Sequence, residues 1–95
     1  MESTLNKYPV EQYCVVMVAP KFFSTKLEVT VDFGEESTLS GQRLEDEAEK
    51  IKKFTSVVDA LNYLSKAGWQ LVNGFSAVHQ SKGNISHYVM RKKVR

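Results

Sequence analysis

Only one cysteine, Cys14, and two histidines, His79 and His87, occur in these 95 residues. A lone thiol cannot close an intrachain disulfide, so no covalent framework holds the chain, and a reducing, cytoplasmic setting is expected. One thiol and two imidazoles are too few for a Cys/His structural zinc site, so no metal is expected. The glycines Gly34, Gly41, Gly68, Gly74 and Gly83 are too scattered for a phosphate-cradling GxGxxG or Walker-type loop, and no cofactor is expected. No apolar run approaches the ~18 residues of a membrane-spanning helix. The opening residues carry Glu2 and lack the apolar core of a secretory signal. An excess of one charge is missing as well. Thirteen basic against eleven acidic side chains leave a net +2, too mild to demand a polyanionic partner.

What is present suits one small domain. Apolar residues make up 42% and charged residues 25%, ordinary values for a soluble globular chain. Residues 1–10 are polar and read as a loose leading segment, with the domain over 11–95. Glu11 to Ala19 is rich in β-branched and aromatic residues and reads as a strand. Both of its faces are apolar, so cover on both sides is expected. Lys26 to Phe33 alternates cleanly, with Leu27, Val29, Val31 and Phe33 on one side, and reads as a half-buried strand. Within Ser40 to Phe54, the cluster Glu45-Asp46-Glu47-Ala48-Glu49 reads as a solvated acidic loop. Leu44, Ala48, Ile51 and Phe54 fit helical spacing, while residues 50–54 also fit a short edge strand shielded by lysines.

The clearest helix covers Thr55 to Ala67. Ser56 and Asp59 have capping-box spacing, and Val57, Val58, Leu61 and Leu64 form its apolar stripe. Gly68 falls where a helix wants a left-handed residue, and Trp69 follows at once. Residues 69–79 and 85–94 then read as a hairpin about Ser81-Lys82-Gly83-Asn84. That even loop would put Trp69, Leu71, Phe75, Ala77, Tyr88 and Met90 on the face under the helix. Val72, Ser76, Val78, His87, Val89 and Arg91 would lie on the other face. In this register His79 and His87 point to opposite sides. The expected architecture is α+β: about four antiparallel strands in β-β-α-β-β order with one main helix on one face. Gly68, Trp69, Leu61, Leu64 and Phe75 are its expected structural anchors.

The segments Leu61-Asn62-Tyr63-Leu64, Gly68-Trp69-Gln70-Leu71-Val72 and Tyr88-Val89-Met90-Arg91-Lys92-Lys93 resemble a family of small bacterial domains of unknown function. Tyr13-Cys14-Val15-Val16 matches that family's opening strand. Two departures are Gln70, where the family commonly has Glu, and the longer connection from Pro20 to Phe54. The resemblance implies a four-stranded antiparallel sheet with one helix, and it brings no activity with it.

Three kinds of function follow from these residues. One helix covers only one face of such a sheet. The bare face, carrying Val72, Val78 and Val89 and one apolar side of the first strand, then points to a non-enzymatic module that associates with itself, most simply as a dimer, or with an unknown protein. The second is a ligand-binding protein or enzyme with a pocket between the sheet and the 20–54 loops, which would need polar groups converging near Cys14, His79 or His87. No residue is assigned a catalytic role, because Cys14 lies in an apolar strand and the carboxylates of 45–49 have no evident cleft. Nucleic-acid binding through the basic strand His87 to Lys93 is the weakest of the three, since no RNP-type pattern accompanies it.

Overall fold

A computed structural model describes residues 10–21, 26–34, 41–81 and 83–93, with backbone alone for 41–45. The 1–9 part of the leading segment lies outside the described residues. Six elements follow one another: strands β1 (Glu11–Pro20) and β2 (Leu27–Asp32), helices α1 (Gly41–Ile51) and α2 (Val57–Lys66), and strands β3 (Gln70–His79) and β4 (Gly83–Lys93). The strands form one antiparallel sheet in the order β2-β1-β4-β3. The α+β class and the four antiparallel strands agree with the sequence reading. There are two helices in the β2–β3 connection rather than one.

The additional helix, α1, takes the place of the acidic loop at 45–49 and agrees with the helical of the two readings of Leu44 to Phe54, not with the edge strand at 50–54. Its coil continues past Ile51: Lys52, Lys53 and Phe54 donate their amides to the carbonyls of Ala48, Lys50 and Ile51. Glu47 with Lys50 (3.8 Å) and Glu49 with Lys52 (3.3 Å) sit three residues apart, so the acidic run serves a helix surface. Ile51 is fully buried, which fixes which side of α1 faces inward. α1 lies nearest β2 and α2 nearest β3. Tyr63 of α2 donates its hydroxyl hydrogen to Glu47 Oε1 of α1 at 3.1 Å, and its ring meets Phe54 at 5.5 Å.

The core lies between helices and sheet. Alternation along β1 sends Cys14, Val16 and Val18 to the helix side. Cross-strand pairing adds Val29 opposite Val18, Met90 opposite Cys14 and Tyr88 opposite Val16. Ile51, Ala60, Leu64 and Trp69 close the cluster from above, with Leu61 packed at its margin. No described helix lies on the other side of β1. Tyr13 is exposed there, Val15 and Met17 are half-buried and Ala19 is buried, and no described element covers that side.

Two local features set the hairpin register. His79 pairs with Gly83, leaving the odd loop 80–82 rather than the even loop 81–84. Gly83 takes φ +77°, a left-handed conformation that glycine adopts without steric cost. A bulge lies further along: Leu71 pairs with Met90, but Asn73 pairs with Val89, so Val72 is an extra residue. Trp69 and Leu71 therefore keep the helix side, whereas Phe75 and Ala77 turn to the bare side. Phe75, expected as an anchor of the core, is 50% exposed.

Candidate interaction face

The junction between α2 and β3 fixes the geometry of everything beyond it. Ser56 caps α2 in an extended conformation and accepts the Asp59 amide at 3.4 Å. At the other end, the Gly68 amide reaches the Ser65 carbonyl (3.0 Å) and the Trp69 amide reaches Leu64 (3.1 Å). With Gly68 at φ +101°, this is a Schellman closure. It turns the chain so that Trp69, 4% exposed, packs in the core with Leu64. The Phe33 ring stands 5.7 Å from the indole and Lys92 Nζ lies 5.8 Å from it. Gly68, Trp69, Leu61 and Leu64 thus all belong to the helix side.

The bare face is built by the odd-numbered residues of β1 and β4 and, beyond the bulge, of β3. Register places Val15 beside Val89, Met17 beside His87, and His87 beside Phe75. The rings of Phe75 and His87 stack in parallel, 4.8 Å apart with 2° between planes. Nδ1 of His87 is buried and makes no hydrogen bond among the described residues. Tyr13, 52% exposed, extends the apolar stripe towards Glu11, whose Oε1 accepts its hydroxyl at 3.1 Å. Arg91 Nε stands 4.0 Å from Glu11 Oε2. The face is thus apolar along its middle, acidic along β2 through Glu28 and Asp32, and basic at the end of β4.

The three valines expected on this face do not share it. Val89 lies in its middle. Val72 is the bulged residue, 47% exposed. Val78, the most exposed large apolar side chain described at 81%, projects on the helix side near the hairpin end. The misplacement of Val78 follows from the parity of the loop. The apolar side of β1 expected on this face is the one carrying Tyr13, Val15 and Met17. Phe75 is the residue of this face that sequence reasoning missed, since an even loop places it under the helix.

The residues considered for chemistry do not converge. Cys14 is 2% exposed on the helix side, and burial followed by the charge of Asp32 pushes its thiol pKa up to about 12. His79 and His87 share the bare face instead of opposing it, separated along the strands by about 13 Å at ~3.3 Å per residue. No group of three or more His, Cys, Asp or Glu among the described residues could hold a metal ion. A shallow groove of about 450 Å³ runs between α2 and the start of β3. Leu61, Asn62, Ser65, Trp69, Gln70, Leu71 and Met90 line it, none of them charged. The basic residues of β4 are split, since Lys92 faces the indole while Arg91 and Lys93 face the bare side. No described helix is long and apolar enough to cross a membrane. Neither a family model nor a curated protein matches this chain.

Proposed function

We propose that this domain is a non-enzymatic association module of the cytoplasm that buries its bare sheet face against a second copy of itself. The observation that carries the proposal is the apolar stripe of Tyr13, Val15, Met17, Val89 and Phe75 on a face that no described element covers. A contiguous apolar patch on a small soluble domain marks a contact surface. The resemblance to small bacterial domains with this sheet is in keeping with the proposal.

Self-complementarity favours a second copy as the occupant. A two-fold axis parallel to the strands, between β1 and β4, exchanges each cross-strand pair with its counterpart. Val15 then meets Val89, Met17 meets His87, and Glu11 meets Lys93, an acid opposite a base. Light scattering over a range of concentrations tests this. The native chain is expected to exceed the monomer mass, and Val15→Glu is expected to lower it. A mass equal to the monomer at every concentration, or one indifferent to Val15→Glu, overturns the proposal.

A further inference from the structure

The two edges of the sheet are built differently. β2 has six residues, with Glu28 and Asp32 among them, and short charged strands resist pairing with other chains. β3 has ten residues, QLVNGFSAVH, all of them exposed, and it lacks proline, lysine, arginine, aspartate and glutamate. It is the one strand of the four without a formally charged side chain at neutral histidine. Such an edge offers a row of backbone donors and acceptors to another strand.

We propose that the β3 edge pairs antiparallel with β3 of a second copy, continuing the sheet to eight strands. This contact is separate from the bare-face contact and does not depend on it. The absence of charge lets β3 lie against itself without like-charge repulsion, which strands such as β4 with Arg91, Lys92 and Lys93 could not do. A two-fold axis normal to the sheet keeps both bare faces on one side, so residues of the same parity must pair. Centring the pairing on Phe75 puts the two Phe75 rings across from each other on the bare side. It also brings Val78 of one copy opposite the bulge at Val72 of the other. There, on the helix side, Val78 meets Leu71 and the uncharged groove lined by Leu61, Trp69 and Met90. One contact thereby covers the most exposed of the described valines, the groove and the unshielded edge.

The register gives a direct test by disulfide trapping. Residues directly opposite in an antiparallel pair have Cβ atoms about 4.5–5.5 Å apart. The Phe75→Cys chain is therefore expected to crosslink to its own copy on mild oxidation. Ala77→Cys places the thiol about 13 Å from its counterpart and is expected not to crosslink. The native Cys14 is buried and serves as the background. Adding Val78→Lys to Phe75→Cys is expected to reduce the crosslinked fraction at least tenfold. Adding Val15→Glu instead is expected to leave that fraction unchanged, which separates this contact from the bare-face contact. No crosslink in folded Phe75→Cys protein, or equal crosslinking of Phe75→Cys and Ala77→Cys, overturns the inference. Should Phe75→Cys fail to fold, amide exchange reads the same contact. β3 amides that slow with rising concentration in the Val15→Glu chain support it, and β3 amides that do not change with concentration there overturn it.

Discussion

Cys14 shows how position decides chemistry for a single residue. Its thiol sits among Val16, Val29 and Met90 in the core, where a thiolate would lose its hydration. With the folded pKa at about 12 against a reference of 9.0, the folded state holds the proton more tightly than the unfolded chain. The stabilisation this gives is complete below pH 9.0 and is lost as pH rises towards 12. Alkylation at neutral pH is therefore expected to be negligible in native protein and fast once urea unfolds it. Trp69 is the other decisive residue. It fills the corner between the Schellman turn and the sheet, so Trp69→Ala is expected to cost about 3–5 kcal/mol. Urea denaturation followed by circular dichroism would measure that loss, and native indole emission should resist quenching by iodide.

Among the elements, α2 was the most legible in the sequence, because Ser56, Asp59, Leu64 and Gly68 each carry a local signal that depends on no distant partner. The strands were legible as strands for the same reason. The pairing of β3 with β4 was not, because one residue more or less in a loop reverses every side chain beyond it. The bulge at Val72 then reverses them again. Trp69 and Leu71 thus fall where an even loop would put them, while Phe75 does not. α1 was legible only as one of two readings: Leu44, Ala48, Ile51 and Phe54 have helical spacing, but periodicity alone does not separate a helix from an edge strand with lysines at 50–53. The two helices are tied by Tyr63 and Glu47, with burial as the first cause and the Glu47 carboxylate as the second in raising the phenol pKa. Tyr63→Phe removes a partly buried hydrogen bond to a carboxylate and should cost about 1 kcal/mol in chemical denaturation. Because the folded phenol holds its proton longer than a free one, this contribution is present below the ordinary tyrosine range and declines in strong alkali.

For the molecule as a whole, the candidate face was legible only in outline. That a lone helical layer must leave one side of the sheet bare follows from counting layers. Which side chains stand there depends on register: Val78 falls on the helix side, and which of the two apolar sides of β1 faces outward, the one with Tyr13 and Met17, is set only by its strand partners. If the bare face is buried against a second copy as proposed, that association adds to the stability of the fold. The melting temperature is expected to rise with protein concentration in calorimetric scans from micromolar to millimolar, as mass action requires when only the folded chain associates. For Val15→Glu that rise should shrink.

The strand order has a consequence for how the chain acquires its shape. β1 and β4 are the inner pair of the sheet, yet they are the first and last strands described. During synthesis, β1 has to wait for nearly every later residue to leave the ribosome before its inner neighbour exists. Until then it can pair only with β2, and one side of a strongly apolar ribbon, YCVVMVA, stays open to solvent and to other nascent chains. By contact order, this distant closure is expected to slow folding relative to a sheet built from neighbouring hairpins alone.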